Sequence, residues 1–293
     1  QIAGSVEQIN TYAEQIASLN KQVAMLSNAT GGQAPNDLLD QRDQLVNELG
    51  QLIGTRLVVQ DGGQYNIFIG NGQTLVLGDR ATRLAAVASS GDPTRSVVAV
   101  VNAAGNAVQL QDGMLGGGGS LGGLLQFRSE TLAPAQNSLG RMAIVLADTF
   151  NAQQNLGIDL NGALGSDFFS QASPGVLLNS KNTGNLVLTP SFSDSNQLTT
   201  SDYCLDVTAG PAYTLTRLSD NQTIPLTAGF PGAAPADTTT FDGVTLTLAS
   251  GAGAPGDSFL IQPTRTGARD LSVLVSDPAR IAAASPIVTG NTA

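Results

Sequence analysis

Residues 36–54 read NDLLDQRDQLVNELGQLIG and predict one amphipathic helix with both ends marked. Asn36 can cap the N-terminus, and Asp37 and Asp40 lie in the first turn, where the helix dipole favours negative charge. Gly54 follows the last apolar residue, as a C-terminal stop should. A mostly apolar stripe recurs every three or four residues, at Leu38, Arg42, Leu45, Leu49 and Leu52. The segment therefore indicates helix packing rather than catalysis.

A heptad pattern precedes this helix and predicts another helix over residues 1–28. Two seam positions repeat at intervals of seven, one at Ile2, Ile9, Ile16 and Val23 and the other at Ser5, Tyr12, Leu19 and Leu26. Turn-forming residues at 28–32 end the first helix. The helix of 36–53 is therefore expected to fold back antiparallel to it.

A third helix is predicted over residues 121–154, after a glycine-rich hinge at 116–120. One of its seam positions is occupied by Leu125, Leu132, Leu139 and Leu146. Pro134 must kink or split this helix, since proline lacks a backbone donor and clashes with the preceding turn. Three helices with apolar stripes predict a rod in which each stripe is covered by the others.

Residues 56–110 change in character and predict a small β-sheet inserted between the helices. Strand-like runs at 56–60 and 65–69 flank Asp61-Gly-Gly, a turn signal, and Asn71-Gly precedes another run at 74–77. A further strand pair is expected at 96–101 and 107–110. Together with the three helices, this sheet makes a helical rod domain of residues 1–180.

A β domain is predicted for residues 181–293, after a connector at 157–180. Short alternating strands are expected at 186–188, 203–207, 213–218, 244–248 and 258–261. Asp277-Pro278 then predicts a short helix through Ala284. The predicted fold class is α+β and multi-domain, with an elongated α-helical rod followed by a mainly antiparallel β domain.

Composition excludes several classes of partner. The net charge is −10, and the thirteen basic residues are scattered, so we expect neither nucleic acid nor an anionic membrane to bind. Cys204 is the single cysteine and histidine is absent, so we expect no internal disulfide, no metal site and no cofactor. A buried, inert thiol is the expectation for Cys204.

Three short motifs match patterns that occur in catalytic or ligand-binding sites. Residues 118–122 match GxSxG around Ser120, but a nucleophilic serine needs a histidine. Residues 117–122 match GxGxxG without the strand and βαβ unit of a dinucleotide site. Asp159–Asp167 resembles a calcium loop but lacks the closing glutamate, and predicts an Asx-rich turn. We therefore predict that the chain is not an enzyme.

Several longer segments resemble the family of bacterial flagellar hook-associated protein 1. The resemblance rests on DLLDQRD at 37–43, on GSLGGLLQFRS at 119–129 and LAPAQNSLG at 132–140, on FNAQ at 150–153 and GIDLNG at 157–162, and on YTLTRLSD, FDGV, GDSF and DPARIAAA from 213 to 284. The segments occur in the family's order over most of the chain. We therefore expect a central fragment that lacks the family's terminal helices.

The resemblance implies a structural subunit at the junction between the flagellar hook and filament. It implies self-assembly, contacts with hook protein and with hook-associated protein 3, an export chaperone acting through the missing terminus, and an extracellular location reached through the flagellar secretion apparatus. The side chains that we predict to pack helices or form interfaces are Ile9, Ile16, Leu19, Val23, Leu38, Leu45, Leu49, Leu125, Leu132, Leu139 and Leu146.

Two other functions compete with this expectation. The Thr-, Asn- and Gly-rich β domain is typical of an extracellular adhesin or carbohydrate-binding module, although tryptophan is absent and aromatic residues make up 4%. A hydrolase acting through Ser120 is nearly excluded, because the chain has no histidine.

Overall fold

The computed structural model describes residues 1–29, 36–60, 63–209, 212–231 and 237–284. The helices are α1 (Ile2–Ala29), α2 (Asn36–Leu52), α3 (Asp112–Leu115), α4 (Gly119–Gln126) and α5 (Ala133–Asn155), with a π-helical segment at Phe127–Leu132. The strands are β1 (Thr55–Val59), β2 (Tyr65–Ile69), β3 (Gln73–Leu77), β4 (Arg80–Ala81), β5 (Leu84–Ala88), β6 (Ser96–Val101), β7 (Ala107–Gln109), β8 (Gly175–Leu178), β9 (Val187–Phe192), β10 (Tyr203–Thr208), β11 (Ala212–Arg217), β12 (Gln222–Ile224), β13 (Asp237–Phe241), β14 (Val244–Ser250) and β15 (Ser258–Gln262). None of the helices in these ranges is long and apolar enough to cross a membrane.

The chain divides into two compact units. Unit 1 comprises residues 1–89 and 93–132, and unit 2 comprises 90–92 and 133–293. This division by contacts falls within the predicted third helix and not at residue 180. The predicted connector of 157–180 contains β8, which pairs with β15, so residues before 181 already belong to the β structure. The third predicted helix is also shared, because its second half, α5, belongs to unit 2.

Unit 1 is built from α1, α2 and α4 together with two small sheets. Its core joins apolar residues of α1 and α2, such as Ile16 and Leu49, to strand residues such as Ile67, Leu75 and Val98. The helix bounds follow the predicted ones closely, since capping residues and a continuous apolar stripe specify a helix locally. The predicted turns at 30–32 and at 61–62 lie outside the described residues.

The inserted β structure of unit 1 forms two sheets rather than the predicted single one. One sheet has the order β1-β2-β3-β4 and the other β5-β6-β7, all antiparallel. The predicted pairs appear as β1 with β2 and as β6 with β7. Strand β5, LAAVA, is not predicted by the sequence pattern, because a run of small apolar residues shows no alternation between polar and apolar positions.

The predicted helix of 121–154 consists of two helices joined by the π segment. Pro134 is the second residue of α5, which directly follows the π segment. The helix is not interrupted at the proline, and the expected distortion lies before it, in residues 127–132, where the helix takes the wider i→i+5 hydrogen-bond pattern. The two halves contribute to the two different units.

Unit 2 contains a five-stranded sheet, β12-β11-β10-β15-β8, and a three-stranded sheet, β13-β14-β9. Its core lies between strand residues such as Tyr203, Leu246 and Phe259, with Ile144 of α5 added. The predicted short helix of 278–284 is wrong beyond Arg280. Asp277 caps a single 3-10 turn, Pro278–Arg280, and Ala284 instead forms a bridge with Ile158.

Candidate packing and interface surfaces

The predicted packing residues of unit 1 lie in or beside its core. Ile9, Ile16, Leu19, Val23, Leu49 and Leu125 are buried, and Leu38 and Leu45 are half-buried. Leu45 packs against the core from α2. These side chains therefore hold the unit itself together, and little of their surface is left for a partner.

Arg42 occupies a position in the apolar stripe of α2, yet it forms the centre of a buried polar cluster. It is 2% exposed, and its Nη1 donates to Asn20 Oδ1 at 3.0 Å and to the Gly63 carbonyl at 2.9 Å. Its guanidinium carbon lies 3.5 Å from the centroid of the Tyr65 ring, a cation–π contact. Arg42 thus ties α2 to both α1 and the β1–β2 hairpin.

Asn20 completes this cluster from α1. Its Nδ2 donates to the carbonyls of Tyr65 and Gly78, at 2.8 and 2.7 Å, and its Oδ1 also accepts from the Tyr65 N–H. The Tyr65 hydroxyl donates to Asp43 at 2.7 Å. The pKa of Tyr65 is raised above its usual value, mainly because the side chain is partly buried and secondly because of the Asp43 carboxylate. The pattern of apolar residues does not predict this cluster, although a charged residue inside an apolar stripe is a signal for it.

The predicted seam residues of α5 are exposed. Leu139 is 55% exposed and Leu146 53%, and Met142 lies between them at 59%. Leu132, at the end of the π segment in unit 1, is 42% exposed. The leucine spacing predicts a packing stripe, but the described residues do not cover it. We call Leu139, Met142 and Leu146 the leucine face of α5.

A second heptad stripe of α5 is buried instead. It is small and polar rather than leucine-rich, and consists of Asn137, Gly140, Ile144, Ala147, Asn151 and Gln154. Asn137 Nδ2 donates to Asp202 Oδ1 at 2.9 Å and to the Thr200 carbonyl at 3.0 Å. Asn151 Oδ1 accepts from the N–H groups of Phe168 and Phe169, at 2.9 Å each.

These amide side chains let α5 pack against main-chain segments that belong to no helix or sheet ladder. Gln154 Nε2 donates to the Arg280 carbonyl at 2.9 Å, and its Oε1 accepts from the Ala282 N–H at 3.1 Å. Each amide side chain offers both donors and an acceptor, so it can satisfy buried main-chain groups of an irregular segment. The polar stripe therefore fixes α5 within unit 2 and leaves its leucine face outward.

The residues around Ser120 do not form a nucleophilic site. Ser120 is exposed at the start of α4 and lines an open groove of about 670 Å³. The other lining residues are Gln1, Gly4, Ser5, Gln8, Gly123, Leu124 and Phe127, none of which is a general base. Burial raises the pKa of the Cys204 thiol to about 11, so this half-buried cysteine is a poor nucleophile at neutral pH.

The predicted Asx-rich turn is present at residues 159–163. Asp159 Oδ1 accepts from the N–H groups of Asn161 and Ala163, at 2.9 and 2.8 Å. The Ala163 N–H is the main reason why the pKa of Asp159 lies below its usual value. Within the described ranges, no group of three or more His, Cys, Asp or Glu side chains could hold a metal ion.

The strands described in unit 2 present no fully exposed aromatic ring on which a sugar could stack. Among the described residues, Tyr203, Phe230, Phe241 and Phe259 are buried, and Tyr213 and Phe192 are half-buried. Carbohydrate sites typically need an exposed ring face for stacking, so this surface does not favour the carbohydrate-binding alternative.

Two family models match the chain in succession. The first, described as the flagellar hook-associated protein FlgK helical domain, matches residues 1–169. The second, described as the flagellar hook-associated protein 1 D2-like domain, matches residues 177–263. The helical model ends within unit 2, so it includes the whole of α5.

Individual relatives agree with the family models. The chain is 43% identical to flagellar hook-associated protein 1 of Escherichia coli (strain K12) over 97% of its length, and 45% identical to that of Salmonella typhimurium (strain LT2) over 97%. A solved structure of the flagellar hook junction protein FlgK from Burkholderia pseudomallei covers 99% of this chain with 40% identity and a TM-score of 0.88. The match takes in 50% of each of the two relatives and 52% of the solved chain, so this chain spans about half their length.

Proposed function

Because the chain belongs to the flagellar hook-associated protein 1 (FlgK) family, we propose that it is part of a structural subunit of the bacterial flagellum. In this proposal the subunit forms the junction between hook and filament by self-assembly through packed helices. The family match over residues 1–169 carries the proposal, together with the likeness to a solved flagellar hook junction protein.

The leucine face of α5 is the surface that we assign to helix packing in the assembled flagellum. Leu139 and Leu146 lie seven residues apart on one side of the helix, the spacing at which a second helix packs in a coiled-coil seam. A row of exposed large apolar side chains is costly in water and marks an interaction surface. The predicted residues Leu132, Leu139 and Leu146 thus keep their role as interface candidates.

Partners and location follow from the family alone. We infer contacts with further copies of the subunit, with hook protein and with hook-associated protein 3, and binding of an export chaperone. We also infer an extracellular position, reached through the flagellar secretion apparatus. The subunit works by packing and carries out no reaction of its own.

The test is genetic complementation. Deleting the native gene should leave hooks without filaments and release flagellin into the medium. The wild-type gene should restore filaments, whereas a gene carrying L139D and L146D should not, because two buried carboxylates would oppose helix packing. Electron microscopy of flagella and immunoblotting of the medium measure both outcomes.

Leu218 provides a matched control, since it is 44% exposed in unit 2 but lies outside the leucine face. L218D should restore filaments like the wild type. The purified L139D/L146D chain should unfold at the wild-type temperature, because both leucines are exposed. Normal filaments in the deletion strain would refute the junction function, and normal filaments with L139D/L146D would refute the leucine face.

A further inference from the structure

The chain contains two Asn-Gly pairs, Asn71-Gly72 and Asn161-Gly162, and both lie in exposed turns. In such a pair the main-chain nitrogen of the glycine can attack the side-chain amide carbon of the asparagine, because glycine has no side chain to hinder the approach. The carbon–nitrogen bond of the side-chain amide breaks, ammonia leaves with the proton of the glycine nitrogen, and a succinimide ring forms. Water then opens the ring to an aspartyl or an isoaspartyl residue.

The two turns are closed by the same kind of hydrogen bond. The Gly72 N–H donates to the Ile69 carbonyl at 3.2 Å, and the Gly162 N–H donates to the Asp159 carbonyl at 3.1 Å. Both glycines have a positive φ, 103° for Gly72 and 80° for Gly162, and a Cβ added to either would meet no atom within 4 Å. The attacking nitrogen is therefore held and exposed in a similar way in the two turns.

The carboxylate of Asp159 distinguishes the second turn from the first. Its Oδ1 accepts from the N–H groups of Asn161 and Ala163, at 2.9 and 2.8 Å. A negative charge thus lies beside the peptide groups on both sides of the Gly162 nitrogen, and it opposes the loss of a proton from that nitrogen. Asp159 Oδ2 also accepts from Asn161 Nδ2 at 3.4 Å, which holds the amide that would have to react.

Asn71 has neither of these restraints. Its side chain is exposed and makes no hydrogen bond with any residue that the structure describes. Within the same ranges, none of the N–H groups of Gly70, Asn71 and Gly72 donates to a carboxylate. The Asn71 amide can therefore turn towards the Gly72 nitrogen without breaking a contact.

We propose that Asn71 is a site of spontaneous deamidation in the folded chain, and that the Asp159 carboxylate protects Asn161 from the same reaction. The substrate is the chain's own amide and the co-reactant is water. The product adds one negative charge to a chain whose net charge is −10. The isoaspartyl form also lengthens the main chain beside Gly70, where an added Cβ would already overlap the Met114 carbonyl oxygen. The proposal does not depend on the flagellar function.

Incubation of the purified chain in weakly alkaline buffer, followed by peptide mass spectrometry, measures the conversion of the two asparagines. We expect Asn71 to convert at least about fivefold faster than Asn161, the factor that a charge about 4 Å away produces in water. Aspartyl and isoaspartyl peptides of equal mass separate by chromatography, so both products are counted. In concentrated urea the turns are lost, and the two asparagines should then convert at similar rates.

D159N removes the charge beside Gly162, so it should speed the conversion of Asn161 at least about threefold and leave that of Asn71 unchanged. Asp79 is exposed in another turn and provides the matched control, since D79N should change neither rate. N71S should abolish the fast product. Circular dichroism confirms that each variant is folded.

Three outcomes would overturn the proposal. One is an Asn161 that converts as fast as Asn71 in the folded wild-type chain. Another is a D159N chain in which Asn161 converts at the wild-type rate. The last is an Asn71 that stays intact in the folded chain under conditions in which both asparagines convert in urea.

Discussion

Arg42 is a charged residue that occupies a buried position in the apolar stripe of α2. Its position falls in the apolar stripe of α2, while its guanidinium contacts Asn20, the Gly63 carbonyl and the Tyr65 ring. The sequence predicts that position 42 faces inward, because the spacing of the stripe is local information. It does not predict the partners, because they lie on two other elements.

Replacing Arg42 by lysine should destabilise unit 1 by about 2–4 kcal/mol, since an ammonium cannot both stack on Tyr65 and replace the guanidinium's fixed donors. Chemical denaturation followed by circular dichroism measures the loss. Arg80 lies exposed in β4, so R80K should change the free energy of unfolding by less than about 0.5 kcal/mol. Equal effects of R42K and R80K would contradict the assigned role.

In helix α5, the leucine spacing does not identify the side of the helix that packs within unit 2. The leucine spacing predicts a seam, and the other heptad of the same helix is the one that unit 2 buries. Hydropathy favours the leucines, whereas the buried stripe depends on amides and a glycine that match irregular backbone. The sequence contains no local signal for that match, because Thr264 and Arg280 lie more than a hundred residues away.

Gly140 lies where α5 comes closest to its neighbour. A methyl group at this position would overlap the Thr264 carbonyl oxygen, so G140A should cost about 2–3 kcal/mol of stability despite the better helix propensity of alanine. Gly123 is exposed in α4 with no atom within 4 Å of the same added carbon. G123A should instead stabilise by about 0.5–1 kcal/mol, and thermal unfolding of both variants tests the contrast.

At the scale of the whole molecule, the two family domains could be predicted, but the boundary between the two compact units could not. The change from glutamate-containing helices to Thr-rich strands is visible in the composition. The assignment of α5 and β8 to unit 2 depends on pairing with β15 and on contacts near Thr264, which are distant in sequence. Contacts between residues so distant in sequence produce no local repeat of apolar positions from which they could be predicted.

Unit 2 should lose stability in acid. Burial disfavours the ionised form of Asp257, but the N–H groups of Ala254, Thr183 and Gly184 outweigh it and hold its pKa below the usual value. A carboxyl whose pKa is depressed by folding adds stability above its unfolded pKa, near 4, and that stability is lost as pH falls through the folded pKa.

Hydrogen exchange of β10 and β15 peptides at pH 7 and near pH 3 should show the loss of protection in acid. D257N should weaken protection already at pH 7 and reduce its dependence on pH, because the ionised acceptor is gone. Asp40 is exposed in α2 and serves as the control, so D40N should leave the pH profile unchanged. An unchanged profile in D257N would refute the linkage.

The π segment has a consequence for comparing relatives. An α-helix that gains one residue without breaking rotates everything beyond it by roughly 100°. Leu125, before the segment, is buried, and Leu132, at its end, is 42% exposed, although they are seven residues apart. A homologue with a regular helix here should be aligned with a one-residue gap inside 127–132. Aligning straight through the leucines would pair residues that point in different directions.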